Sequence, residues 1–98
     1  MEPAQFQEKI KKASHLLKPL ANEHRFMVLC LLLDGEKSVP ELLHQTGLRH
    51  SSLSQHLSRL RMEGLVKPRR EAQRMYYSLQ NHELFGILRA LRGQLCDS

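Results

Sequence analysis

The sequence has only two cysteines, Cys30 and Cys96, set far apart and with no C-x-x-C pair. It also has no glycine-lined loop of the kind that cradles a cofactor. A small thiol oxidoreductase or other enzyme is therefore disfavoured. Internal repeats, low-complexity tracts and linkers are absent. The apolar run Val28–Leu33 is far too short to span a bilayer. The opening MEPAQFQEKIKK lacks the charged-then-apolar order of a signal peptide, so a cytoplasmic location is expected. The six histidines are scattered without metal-ligand spacing, and no metal or other cofactor is expected.

What is present fits a single soluble domain over residues 1–98. Hydrophobic residues make up 41% and charged residues 26%, ordinary values for a globular protein. A chain this short buries about 65% of its unfolded surface, so burial against a second subunit would help it. The net charge is +5, and its location matters more than its size. Within residues 49–74, Arg49, Arg59, Arg61, Lys67, Arg69, Arg70 and Arg74 face only Glu63 and Glu71, and the rest of the chain is balanced. The whole excess thus forms one electrostatic face, suited to nucleic acid ahead of an acidic protein or a membrane surface.

Periodicity predicts a mainly α fold with a small β-hairpin, in the order α-α-α-α-β-β-α. A first helix over about 4–18 carries Phe6, Ile10, Ala13 and Leu17 on one stripe and ends at Pro19. Asn22 caps a second helix that is apolar on most sides and stops at Asp34-Gly35. Ser38 and Glu41 form a capping box for a short third helix. A fourth follows after a glycine-containing turn, completing a helix-turn-helix over about 38–63. Two strand-like runs, LVKPRR and RMYYSL, make a wing over about 65–79, with Pro68 tolerable only beside a free edge. The last helix, about 82–96, aligns Leu84, Leu88, Leu91 and Leu95. Two terminal helices with matching apolar seams predict a symmetric homodimer.

The fourth helix has the make-up of a DNA reader. His50, Ser51, Ser54 and Gln55 lie on its polar face, with Leu53, Leu57 and Leu60 behind. Serine and glutamine can hydrogen-bond base edges, and glutamine can pair bidentately with adenine. Arg59, Arg69, Arg70 and Arg74 suit phosphates, which position a protein without reading sequence. Arg49 is a poor cap, so capping alone does not explain the serines. His56, near the leucine stripe, reads as a packing or hydrogen-bonding core residue. A dimer of such units reads double-stranded DNA at a pseudo-palindrome with half-sites about one helical turn apart. A winged-helix module that binds protein in place of DNA is the competing reading.

The LANEHR entry to the second helix, SVPEL at the third, SLSQHLSRLRMEGLV and the EAQRMYYSL wing together resemble the ArsR/SmtB family of winged helix-turn-helix repressors. The match covers nearly the whole chain. The resemblance implies a homodimer through the first and last helices, recognition by the fourth, and repression relieved by a small inducer. Many members sense metals, but this chain departs from both known designs. Glu41-Leu42-Leu43-His44 has no thiol where one site places cysteines. For the other, only His82 and Glu83 stand at the near end, and nothing between Leu84 and Leu95 can ligate.

By itself, Cys30 reads as a small buried hydrophobe and Cys96 as an incidental tail residue. The HlyU/BigR/SqrR-like dithiol branch of the family shares the L-C-x-L-L-D and G-L-V…E-A-Q wording found here. That resemblance implies that Cys30 and Cys96 sense a thiol-reactive inducer (a persulfide, polysulfide or oxidant) by forming a disulfide or polysulfide bridge that weakens operator binding. Structural cysteines with some other inducer are the alternative.

Overall fold

The computed structural model describes residues 1–96, with side chains through Leu95. Helix α1 (Pro3–Leu17) begins where Pro3 occupies the first turn and Gln5 Oε1 accepts from the Glu2 amide at 3.2 Å. Pro19 then forces a 3-10 turn over Lys18–Ala21. Helix α2 (Glu23–Leu33) starts at Asn22, whose Oδ1 accepts from the His24 and Arg25 amides at 3.0 and 3.1 Å. This is the cap expected from the sequence. Val28, Leu29 and Leu32 bury completely or nearly so, making α2 the centre of the domain.

After Gly35, whose φ of 132° excludes most side chains, the chain forms strand β1 (Lys37–Ser38) and enters helix α3 (Val39–Thr46). Ser38 Oγ accepts from the Glu41 amide at 3.2 Å, while Glu41 Oε1 accepts from the Ser38 amide at 2.9 Å. Ser38 is buried, so both of its polar groups depend on this exchange. Ser38→Ala is expected to cost about 1 kcal/mol of stability, read as a lower urea midpoint at unchanged m-value.

Helix α4 (His50–Met62), strands β2 (Val66–Glu71) and β3 (Arg74–Leu79) and helix α5 (His82–Cys96) complete the chain. The fold is the winged helix-turn-helix that the sequence predicts. One feature was not anticipated. The wing is a three-stranded antiparallel sheet in the order β1-β3-β2, with Lys37 opposite Tyr77 and Ser38 opposite Tyr76. A two-residue strand has no alternation to read, so only its pairing reveals it. Pro68 sits on β2, an edge strand, where its missing amide hydrogen breaks no interior ladder.

The terminal helices divide their apolar residues differently from the expected seams. On α1 the stripe is left open, with Phe6, Ile10 and Leu17 respectively 55%, 50% and 48% exposed, and Leu16 is buried in their place. On α5, Leu84 and Leu88 belong to the subunit's own core, while Leu95 is exposed. The first half of the α5 seam is therefore intrasubunit packing, because α5 lies across α2 and covers its apolar surface. Lys12 Nζ reaches Glu83 Oε1 at 2.7 Å and ties α1 to the start of α5.

Candidate nucleic-acid interface

Helix α4 is set by its buried back. Leu53, Leu57 and Leu60 are 3% exposed or less, which turns the opposite face outward. Arg49 holds the N-cap position without a side-chain hydrogen bond, so the first amides of the helix have no protein cap there. Ser51 and Gln55 are exposed and Ser54 is half-buried. Ser54 Oγ lies 3.3 Å from His50 Nδ1, joining the two residues across one turn. The four expected base-reading residues thus share the N-terminal face of one helix. Exposed Ser58 and Arg61 extend that face by a further turn. Their i, i+4 and i, i+7 spacing from Ser54 is the sequence signal for this extension.

The wing carries the remaining charge. Ala72 turns the β2–β3 loop with φ 55°, a left-handed backbone that non-glycine residues seldom adopt. Arg70 and Arg74 are exposed on either side of this turn. Arg69 is differently placed. Its Nε and Nη2 donate to the two carboxylate oxygens of Glu36 at 3.0 and 2.7 Å, and its Nη1 donates to Glu71 at 2.9 Å. Its guanidinium also lies 4.8 Å from the centre of the Tyr76 ring. These bonds raise the Arg69 pKa further and hold the Glu36 carboxyl below its ordinary value. Two carboxylates neutralise this arginine, which braces the wing against the loop before β1. Arg59 also has a local partner, with its Nε 3.4 Å from Glu63 Oε1.

His56 is half-buried where α4 meets α2, its ring centre 6.0 Å from that of His24. Burial pushes its pKa down, and the nearby Arg25 and His24 push it the same way. The folded chain therefore takes up this proton less readily than the unfolded chain. His56 contributes stability that is fully present above about pH 6.5 and lost as pH falls through its lowered value. His56→Gln should flatten the fall in unfolding free energy between about pH 7 and 5, followed by urea titration; an unchanged slope would assign the loss to other groups.

Cys30 is half-buried on α2 against the core. Cys96 ends α5, and its side chain lies outside the described residues. Between the two helices, Arg92 Nη1 donates to Asp34 Oδ1 at 2.6 Å. Asp34 stands one turn after Cys30 and Arg92 one turn before Cys96, so the pair fastens α2 to α5 beside both thiol positions. Among the described residues, no group of three or more His, Cys, Asp or Glu is gathered as a metal site. No described helix is long and apolar enough to cross a membrane.

A helix-turn-helix with a polar outward face and a basic wing is the architecture of a winged-helix transcriptional regulator. The model for "Bacterial regulatory protein, arsR family" matches residues 22–67. Transcriptional activator HlyU of Vibrio cholerae is 46% identical over 87 residues, which cover 89% of this chain and 81% of that protein. The structure of reduced HlyU from Vibrio cholerae superposes with a TM-score of 0.89 at 43% identity, covering 94% of this chain and 97% of that one. That of the transcriptional repressor BigR from Xylella fastidiosa gives 0.89 at 33% identity, covering 98% of each. The chain belongs to the arsR family. It is a DNA-binding transcriptional regulator and not an enzyme.

Proposed function

We propose that this chain is a cytoplasmic homodimeric repressor whose hold on a pseudo-palindromic operator is released when Cys30 and Cys96 are bridged. The observation that carries the reading is the Asp34–Arg92 bond, which joins the two thiol-bearing helices one turn from each cysteine. Bridging the thiols removes two electrons and two protons. Peroxide accepts them and becomes water; a persulfide or polysulfide accepts them as its S–S bond breaks and releases a thiol or hydrogen sulfide, and transferred sulfane sulfur can stay within the bridge. A direct disulfide requires α-carbons about 4.4–6.8 Å apart, and added sulfur lengthens the span. Because α5 also contributes to the dimer, a shift of α5 against α2 changes the spacing of the two α4 helices and their fit to the half-sites. His50, Ser51, Ser54 and Gln55 read bases in this scheme. Arg59, Arg70 and Arg74 hold phosphates, and Arg69 sets the wing's position for them.

Operator selection from random duplexes, followed by salt titration, tests the DNA side. A dimer neutralising about six to eight phosphates gives log K falling against log salt with a slope of about −5 to −7. A slope near zero sinks this account of the basic face. Intact mass after exposure to persulfide, glutathione disulfide and peroxide in turn tests the thiol side, since the mass change identifies both the inducer class and the bridge.

A further inference from the structure

At the C-terminal end of α4, away from the reading face, α1, the 3-10 turn and α2 enclose a cleft of about 360 Å³. Arg59 lies about 12 Å along the helix axis from Ser51, so this cleft and the base-reading start of α4 are separate places. Lys18, Arg25 and Arg59 line it, and among the described residues Glu63 is the single carboxylate on its wall. Three permanent cations against one anion leave the cleft positive.

The hydrogen-bonding groups there are biased the same way. Arg25 Nε is buried with no acceptor among the described residues. A buried donor in this state costs free energy that an incoming oxygen would recover. Asn81 Oδ1 is committed to the Leu84 amide at 2.9 Å, so its carboxamide has only the NH₂ group to offer. The Arg59–Glu63 bond is long, at 3.4 Å, and uses Nε, which leaves the donors of both Nη groups. Leu16, Pro19 and Leu65 supply buried apolar wall between these groups. The volume is at the small end of pockets that hold organic ligands.

We propose that this cleft binds a small organic acid, with its anionic oxygens held by Arg25 and Arg59 and its apolar body against Leu16, Pro19 and Leu65. A carboxylate meets the arginine forks in the geometry they favour, and the apolar wall selects a carboxylic acid with a hydrophobic body over a bare inorganic anion. Glu63 competes with the ligand for Arg59. The site is independent of the thiols, and Arg59 is the one residue it shares with the phosphate contacts proposed above.

The test is titration of the purified, reduced full chain with benzoate, its neutral amide benzamide, and inorganic phosphate, followed by backbone amide NMR and calorimetry. Saturable benzoate binding is expected below about 10 mM, with shifts concentrated at Leu16, Arg25, Leu65 and Asn81. Arg25→Gln and Arg59→Gln should each weaken it at least 10-fold. Lys18→Gln, at an exposed position, should weaken it several-fold, and Glu63→Gln should tighten it several-fold. These last two variants keep the test valid if Arg25→Gln does not fold. Benzamide binding as well as benzoate would overturn anion selection, and phosphate binding as tightly would overturn the apolar-body assignment. No saturable response to benzoate in that range, or tightening absent in Glu63→Gln, would overturn the site.

Discussion

Replacing Phe6 and Ile10 together with glutamate should yield a folded monomer whose operator affinity is at least 100-fold lower. Both side chains are about half exposed within the subunit, so the change removes little of its own core. In a dimer built on the open α1 stripe the same positions would lie inside the interface, where the carboxylates would have to be desolvated. The loss on DNA is larger than the loss of any one contact. Once one α4 is seated, its partner is presented to the second half-site at an effective concentration that free monomers do not reach, and such linkage contributes 10² to 10⁴ in affinity. Sedimentation velocity reads the assembly state, and anisotropy on full-site and half-site duplexes reads the binding. A variant that remains dimeric would remove α1 from the interface.

Cys30→Ser should leave reduced operator binding within about threefold of the parent and eliminate the response to persulfide or oxidant. In the parent, that response should weaken operator binding at least 10-fold. Cys30 is half-buried beside Val28, Leu29 and Leu32, and serine nearly matches its size, so packing changes little. The hydroxyl cannot form the bridge. Cys96→Ser should give the same loss, since either end is enough to break the link. The readout is operator binding before and after treatment, with intact mass confirming that the parent alone gains the bridge. A Cys30→Ser protein that still responds would place the sensor elsewhere and leave the DNA-binding assignment unaffected.

The helices and their ends were legible in the sequence because the forces behind them are local. Asn22, Ser38 with Glu41, and Asn81 cap amides two or three residues away. The leucine spacing of α4 corresponds directly to its buried face. Pro68 marked β2 as an edge strand through a single missing hydrogen. The brace of Arg69 was not legible, since its partner Glu36 lies 33 residues away and both look like ordinary surface charges. The Arg92–Asp34 bond spans 58 residues and was hidden for the same reason.

The sequence by itself determined that this is a dimer-suited DNA-binding domain with two cysteines and no C-x-x-C pair. Charge placement, capping and apolar period each act over a few residues, and all of them point to that class. Only the tertiary structure decided how the α5 leucines divide between core and surface and which arginines are held by carboxylates. It also decided that α2 and α5 are fastened beside the thiol positions. Those outcomes depend on which distant segments meet, and a one-dimensional pattern cannot specify partners across a packed core.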